Sequence, residues 1–182
     1  KIMSQKYDVV CTNPPYMGNR GMSDRLSDYV KNNFPNTKSD MSTVFMEKTL
    51  ELCKYMGNIA MINIPVWMFI SSYQKLREYL VNSKTIINML HLGRGVFGSD
   101  FGTTAFVIKN GNINHYEATY MKLYDRQGTV DSLEKKERWF FQKHGISVKQ
   151  KEEFKAIDGM PIAYWISKNM RRVFEKGIPL EK

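Results

Sequence analysis

A short apolar segment that runs directly into two prolines constrains the fold of this chain more than any other feature. The segment Tyr7-Asp8-Val9-Val10-Cys11-Thr12 is rich in β-branched residues and is followed at once by Asn13-Pro14-Pro15-Tyr16. Such a segment is typical of a strand that is buried on both faces of a parallel sheet. Two prolines remove two backbone donors and fix two φ angles, so the strand has to end before them. The sequence therefore predicts a strand over 7–12 whose carboxyl end is marked by this Asn-Pro-Pro-Tyr motif.

Strand and helix patterns alternate after the motif. Residues 17–40 are polar and rich in Gly, Asn and Ser, which predicts a loop with one short helical turn. Apolar spacing predicts helices at 41–56 and 71–82, strands at 59–64, 85–92 and 103–108, and a fifth strand or hairpin partner at 113–123. This alternation is typical of a doubly wound α/β sheet, and α/β is the predicted fold class.

The pattern changes after residue 125, and we place a boundary near residue 126. Residues 130–144 and 161–176 are predicted to be helical, with the lysine-rich stretch Lys149-Gln150-Lys151 between them. The sequence thus predicts a sheet-forming part over 1–125 and a helical extension over 126–182.

Composition limits the class of protein. Apolar residues make up 42% and charged residues 25%, as in folded globular proteins, and 27 Lys and Arg against 18 Asp and Glu give a net charge of +9. That surplus favours a polyanionic partner such as nucleic acid.

The apolar run at 59–70 is too short to span a bilayer, so no membrane association is expected. Cys11 and Cys53 lie among apolar residues and are predicted to be reduced, buried thiols in a cytoplasmic protein. The three histidines share no spacing, so no metal site is expected.

The residue types of the Asn-Pro-Pro-Tyr motif suit the recognition of an amine. The side-chain oxygen of Asn13 and the carbonyl of Pro14, held extended by Pro15, are two acceptors for the hydrogens of a planar NH2 group. Tyr16 offers a flat face for stacking. If the NH2 group is attached to an aromatic ring, acceptors placed outside the plane of that ring would localise the lone pair of the amino nitrogen while a group is transferred to it. A base in a duplex would have to be flipped out to reach these acceptors. The alternative interpretation is that Asn-Pro-Pro-Tyr only terminates the strand and has no binding role.

Residues 7–18 resemble the catalytic motif of S-adenosylmethionine-dependent DNA adenine-N6 methyltransferases of the Asn-Pro-Pro-Tyr class. Within that class the chain is most similar to the bacteriophage-exclusion (BREX, phage-growth-limitation) adenine methyltransferases. The similarity continues at 39–52, 64–69, 74–80, 95–108 and 159–165. It implies site-specific adenine methylation in restriction-modification or phage defence. It also implies that the sheet is the C-terminal part of a Rossmann-like class I methyltransferase domain.

The resemblance assigns roles to individual residues. Asn13, Pro14, Pro15 and Tyr16 form the catalytic motif, in which Asn13 and Pro14 bind the amino group and Tyr16 stacks on the adenine. Phe97, in a glycine-rich loop, is the expected second face of the base pocket. Residues 1–125 would be the catalytic half of the methyltransferase domain, and 126–182 would lead to a target-recognition domain.

S-adenosylmethionine is the cofactor that the resemblance implies. In this family a glycine-rich loop and an acidic residue that hold the cofactor precede the motif. Only twelve residues precede Asn13 here, and none of them is glycine. We therefore expect the main cofactor loop to be absent from this sequence and this stretch alone to be inactive.

Double-stranded DNA is the expected partner, and other phage-defence proteins follow from the resemblance alone. Arg20, Arg25 and Lys31 follow the motif and are candidates for contacts with DNA phosphates, with solvated surface charge as the equal alternative.

Two other functions remain open from the sequence. The same motif occurs in methyltransferases that act on RNA base amines or on the glutamine amide of proteins, because the acceptor geometry suits any planar NH2 group. A non-catalytic, basic nucleic-acid-binding module is the third possibility.

Overall fold

A six-stranded mixed β-sheet organises the chain, in a computed structural model that describes residues 4–98 and 101–177. The strands are β1 (Tyr7–Thr12), β2 (Cys53–Asn63), β3 (Thr85–Gly93), β4 (Thr103–Lys109), β5 (Glu117–Lys122) and β6 (Ile146–Gln150). Their spatial order is β1-β2-β4-β3-β5-β6. Strands β1, β2, β3 and β5 run in one direction, whereas β4 and β6 run against their neighbours.

Five α-helices accompany this sheet within the described ranges: α1 (Asp24–Asn33), α2 (Met41–Leu52), α3 (Gln74–Ser83), α4 (Leu133–Phe141) and α5 (Lys168–Lys176). Four of them begin at a side chain that accepts a hydrogen bond from a first-turn amide, as helix N-caps do, namely Ser23, Asp40, Ser132 and Ser167. Helix α2 ends four residues before its predicted end at residue 56. The Asn110 side-chain amide donates to the carbonyls of Leu50 and Cys53 at this end, and β2 begins there.

The main core lies on one face of the sheet, under α2 and α3. Alternate residues of β2 are buried, among them Ile59 and Met61, as expected for a strand whose two faces meet different surroundings. These side chains pack with Met46 and Leu50 of α2 and with Leu76 and Leu80 of α3; Phe154, Ile162 and Tyr164 complete the same cluster. The residues after 126 therefore share their core with the sheet.

The opposite face of the sheet is open beside β1. Val9 is 60% exposed, Cys11 is exposed, and a cavity of about 560 Å3 extends from there over β2, β4 and β3. The predictions of a strand buried on both faces and of a buried Cys11 thiol are therefore wrong for the described residues. Cys53, on the covered face, is buried as predicted.

The segment predicted as a loop contains a ten-residue helix, α1. Val30 of α1 and Phe34 after it pack with Val44 of α2 in a second small apolar cluster, and Leu26 and Met22 lie against it. The many polar residues of this segment obscured an i, i+4 spacing that is sufficient for a helix once α2 covers it.

The helical extension predicted after residue 126 is only partly helical. Residues 146–150 form β6, which pairs antiparallel with β5, where the sequence predicted a break between helices. The final helix starts at Lys168 instead of 161, because Ile162 and Tyr164 are buried in non-helical backbone and Ser167 caps α5.

All four parallel strands end at one edge of the sheet, which we call the carboxyl edge. The loops that begin after Thr12, Asn63, Gly93 and Lys122 therefore lie side by side. In open α/β sheets, ligands bind outside this edge. No helix within the described residues is long and apolar enough to cross a membrane.

Candidate functional site

The Asn-Pro-Pro-Tyr motif follows β1 directly, at the carboxyl edge, where the sequence predicted it. The Tyr16 hydroxyl donates to Asn13 Oδ1 at 3.0 Å and also lies 3.3 Å from the Ile62 carbonyl of β2. Partial burial raises the pKa of Tyr16, so this hydroxyl remains a donor at neutral pH. The structure thus brings Asn13 and Tyr16 together and ties both to the neighbouring strand.

The two predicted acceptors, on Asn13 and Pro14, differ in burial. Asn13 is exposed, and its amide oxygen has two lone pairs, of which Tyr16 uses one. Pro14 is buried, yet no hydrogen bond in the described part of the chain engages its carbonyl oxygen. Pro15 is exposed beside it. The Asn13 oxygen can therefore still receive an N–H donor, and the Pro14 carbonyl has no hydrogen-bond partner among the described residues.

The chain that leaves the motif is fixed to the start of α2. The Met41 amide donates to the Met17 carbonyl at 2.9 Å, and the Asn19 amide donates to the Ser39 carbonyl at 3.2 Å. Asp40, the N-cap of α2, accepts from the Ser42 amide and hydroxyl at 2.8 and 2.7 Å. The motif is thus anchored on both sides, by β1 and by α2.

Asn63 stabilises the end of β2 next to the site, and the sequence reasoning gave it no role. It is fully buried at the end of β2, one residue after the carbonyl that Tyr16 contacts. Its Oδ1 accepts from Trp67 Nε1 at 3.1 Å and from Thr104 Oγ1 at 2.9 Å. The available signal was a polar residue directly after the apolar run 59–62, because buried amides need such partners.

Phe97 follows β3 at the same edge, in a segment separate from the motif. The loop that contains it joins β3 to β4, and β4 is two strand spacings, about 10 Å, from β1. Phe97 is 62% exposed and has a φ of 62°, and no ring contact within residues 4–98 and 101–177 involves it. Its exposed ring at this edge is compatible with the predicted role of a second face, which stays a prediction.

The three candidate phosphate contacts lie close to the motif in the chain. Arg20 belongs to a short 3-10 helix at Asn19–Gly21, and Arg25 and Lys31 belong to α1. All three are exposed, and Lys31 lies 3.9 Å from Asp28. Among the described residues, no cluster of His, Cys, Asp and Glu side chains could hold a metal ion.

An aromatic cavity at the carboxyl edge was also missed by sequence reasoning. It has a volume of about 630 Å3 and is lined by Phe69, His91, Tyr124 and Trp165, among others. These residues come from four separate segments, and their spacing along the chain gave no signal for a shared site.

The fold and the motif at the end of β1 define a class of protein: a class I methyltransferase fold with an Asn-Pro-Pro-Tyr motif at its carboxyl edge. A putative class I S-adenosylmethionine-dependent methyltransferase from Listeria monocytogenes superposes with a TM-score of 0.53 at 12% identity, over 76% of this chain and 42% of that one. The methyltransferase subunit of a type I restriction-modification system from Streptococcus thermophilus gives 0.62 at 16% identity, over 90% and 39%. The Eco57I restriction-modification methylase family matches residues 1–97, more than half of the sequence. The chain belongs to this family.

Two curated relatives match over most of the chain. The adenine-specific methyltransferase BrxX of Escherichia coli O9:H4 (strain HS) is 41% identical over 169 residues, which are 90% of this chain and 14% of that protein. The adenine-specific methyltransferase PglX of Lacticaseibacillus casei (strain Zhang) is 39% identical over 178 residues, which are 92% of this chain and 14% of that protein. The chain thus spans about a seventh of the length of these relatives. The predicted family resemblance is confirmed.

Proposed function

We propose that this chain forms the part of a DNA methyltransferase that holds the target adenine for methylation at N6. The observation that supports this most is the pair of acceptors at the end of β1, namely Asn13 Oδ1 with one spare lone pair and the Pro14 carbonyl with no partner among the described residues, close to Tyr16. The names of both curated relatives, adenine-specific methyltransferases, agree with an adenine as the acceptor. Restriction-modification or phage defence in the cytoplasm, with partner proteins of such a system, is the corresponding biological role.

The proposed chemistry at the amine uses only the residues of the motif. The amino nitrogen of adenine is a poor nucleophile, because its lone pair is delocalised into the ring. Asn13 and Pro14 each accept one N–H, which favours a tetrahedral nitrogen and localises the lone pair as positive charge develops. The proton leaves to solvent after that charge has formed, so no strong general base is needed.

Stacking holds the base during this step. The Tyr16 ring is the first face, and we propose Phe97 as the second. A base–aromatic stack contributes about 1–3 kcal/mol, which partly offsets a flipping cost of a few kcal/mol. Exposed cations near the motif, Arg20, Arg25 and Lys31, supply phosphate contacts in this proposal.

S-adenosylmethionine is the proposed methyl source, but the residues around Asn13 do not form a nucleoside-cofactor site by themselves. In nucleotide-binding α/β folds a carboxylate holds the ribose hydroxyls. The cavity of about 560 Å3 beside Asn13 is lined by apolar, thiol, hydroxyl and amide side chains, with no carboxylate. We therefore assign none of the described residues to the cofactor.

Substitution of Asn13 by alanine in the intact protein that contains this chain tests the proposal. Asn13 is exposed, so the fold should be unaffected. Methyl transfer to adenine-containing DNA, followed with a radiolabelled methyl donor, should fall by about 10²–10³-fold, as for loss of one preorganised hydrogen-bonding group, while DNA affinity changes less than about twofold. Asn19→Ala, at an exposed asparagine of the same loop, is the matched control and should retain full transfer.

Parallel assays on RNA and on a glutamine-containing protein substrate identify the acceptor. Transfer to either of these substrates but not to DNA would contradict the proposed substrate. Unchanged transfer by the Asn13→Ala protein would contradict the proposed role of the motif.

A further inference from the structure

The aromatic cavity at the carboxyl edge is separate from the Asn-Pro-Pro-Tyr motif. Its walls come from the loop after β2, the end of β3, the loop after β5 and the segment before α5. β3 is three strand spacings from β1, or about 14 Å at the usual separation of neighbouring strands. The volume of about 630 Å3 is within the usual size of a small-molecule site.

Accessible ring faces dominate one side of this cavity. Phe69 and Trp165 are 37% and 48% exposed, and their ring centroids lie 5.4 Å apart at an angle of 60°. Trp67, two residues before Phe69, is by contrast fully buried. Exposed rings that converge on a cavity are suited to stacking on a flat ligand, and every nucleobase has such a face.

The other side of the cavity is positively charged. Its cation is Lys122, whose Nζ donates to the Asp125 carbonyl at 3.0 Å and lies 4.6 Å from the Tyr124 ring centroid, and no Asp or Glu is among its lining residues in the described part of the chain. Burial, together with the charges of Lys122 and Lys136, lowers the pKa of His91 to about 4, so this ring is neutral at pH 7. A cavity with this charge favours an anionic ligand.

Buried hydrogen bonds hold the walls in place. Arg77 is 2% exposed and donates to the carbonyls of Ile70 and Gly159, which joins the loop after β2 to the segment that leads to Trp165. The hydroxyl of Tyr164 lies 3.1 Å from His91 Nδ1. The two walls are therefore fixed relative to each other, which lowers the entropic cost of binding a ligand.

We propose that this cavity binds a single nucleotide, whose base contacts the Phe69 and Trp165 rings and whose phosphate lies at Lys122. The inference rests on the proposed function only for where that nucleotide comes from. We place it in the DNA, at an unpaired position a few nucleotides from the target adenine. A free mononucleotide has the same chemistry and is the other source.

Binding by the intact protein to two fluorescein-labelled duplexes, one fully paired and one with a single unpaired nucleotide, tests the site. The unpaired nucleotide should increase affinity. Trp165→Ala and Phe69→Ala should each lower the affinity for the duplex with the unpaired nucleotide about tenfold, as expected for one base stack. Both should leave the affinity for the paired duplex unchanged. Trp165→Phe keeps a stacking face and should retain the gain within about twofold. Trp139→Ala is the control, since Trp139 stacks on His144 outside the cavity.

Competition by free dAMP and TMP separates the two sources. If millimolar mononucleotide abolishes the increase in affinity caused by the unpaired nucleotide, a free ligand is supported. If the increase remains, a nucleotide within DNA is supported. Equal affinities of the Trp165→Ala protein and the parent for the unpaired duplex would overturn the proposal. Loss of the gain in the Trp139→Ala or Trp165→Phe protein, to the extent seen with Trp165→Ala, would also overturn it.

The Tyr16→Ala protein makes this result independent of the proposed function. Its methyl transfer reports on the motif, whereas the effect of Trp165→Ala on binding, measured in the same Tyr16→Ala background, reports on the cavity. Either result can fail while the other holds.

Discussion

Tyr16 combines two roles that substitution can separate. Its ring is the proposed stacking face, and its hydroxyl holds Asn13 Oδ1 and contacts the Ile62 carbonyl. Tyr16→Phe removes only the single O–H donor, which the two oxygens share and which contributes about 0.5–1.5 kcal/mol. Methyl transfer should therefore fall by about 2–10-fold. Tyr16→Ala also removes the stack and should lower transfer by a further factor of about 5–100.

Initial rates of methyl transfer by the two proteins, at equal DNA occupancy, check this prediction. Tyr55→Ala is a suitable control, because Tyr55 is 79% exposed and lies in β2 far from its carboxyl end. A Tyr16→Phe protein as inactive as Tyr16→Ala would show that the hydroxyl, and not the ring, is the essential part.

At the level of single residues, the sequence was sufficient for the motif and insufficient for its support. The place of Asn13 and Tyr16 at the end of β1 is predictable because two prolines fix where the strand ends, whereas their chemical role stays a prediction. The Asn63–Thr104 hydrogen bond was not predictable, because Thr104 meets Asn63 only through the pairing of β2 with β4, whereas Trp67 lies four residues away in the chain.

Among the elements, β2 depends on an irregularity at its start. Its register with β1 shifts between Tyr7 and Val9, and Met56 has a φ of 61°. A Cβ at Gly57 would lie 2.7 Å from the Asp8 carbonyl oxygen and 2.7 Å from Cys53 Sγ. This glycine therefore lets β1 and β2 approach each other, and β1 in turn positions the motif.

Gly57→Ala should lower the free energy of unfolding by about 1–3 kcal/mol, the usual cost of overpacking. Urea denaturation followed by circular dichroism measures it. Gly18→Ala is the matched control, because a Cβ there would meet only ordinary contacts, at 3.7 Å and beyond, and its φ of −71° suits any residue. Equal stability of the two alanine proteins would refute the close approach.

The elements that the sequence predicted well are those that form the main core. The strands of the central sheet follow from β-branched runs, and α2 and α3 follow from apolar spacing. Helix α1 and strand β6 were missed for a physical reason. α1 packs through a small cluster, and β6 has no fully buried residue, so its pairing with β5 is fixed by backbone hydrogen bonds.

For the whole molecule, His91 links stability to pH. Its folded pKa is about 4, below the ordinary value of 6.5, so between these pH values the unfolded chain binds more protons. Stability is therefore greatest above about pH 6.5 and falls as the pH drops toward 4. The contribution of this group to that loss is roughly 3 kcal/mol at 1.36 kcal/mol per unit.

The free energy of unfolding of the parent and of a His91→Gln protein, measured from pH 4 to 7, isolates this contribution from that of the carboxyl groups. The advantage of the parent over His91→Gln should shrink as the pH falls through this range. His144→Gln, at an exposed histidine, is the control and should follow the parent curve. Parallel curves for the parent and His91→Gln would contradict a neutral, buried His91.

The net charge of +9 acts at the same scale, through salt-dependent binding to DNA. Each phosphate contact contributes about 0.9 to the slope of log affinity against log salt concentration. Replacement of Arg20, Arg25 and Lys31 by glutamine should reduce that slope by up to about 2.7 and weaken binding to all DNA sequences alike.

A matched triple replacement, Lys6, Lys48 and Lys54 by glutamine, removes the same charge from exposed or half-buried side chains near the opposite edge of the sheet, close to where β1 and β2 begin. Anisotropy titrations between 50 and about 300 mM salt would show a shallower slope for the first protein alone if these cations touch the backbone. Equal slopes for the two triple variants would mean that net charge, and not this surface beside the motif, determines DNA binding.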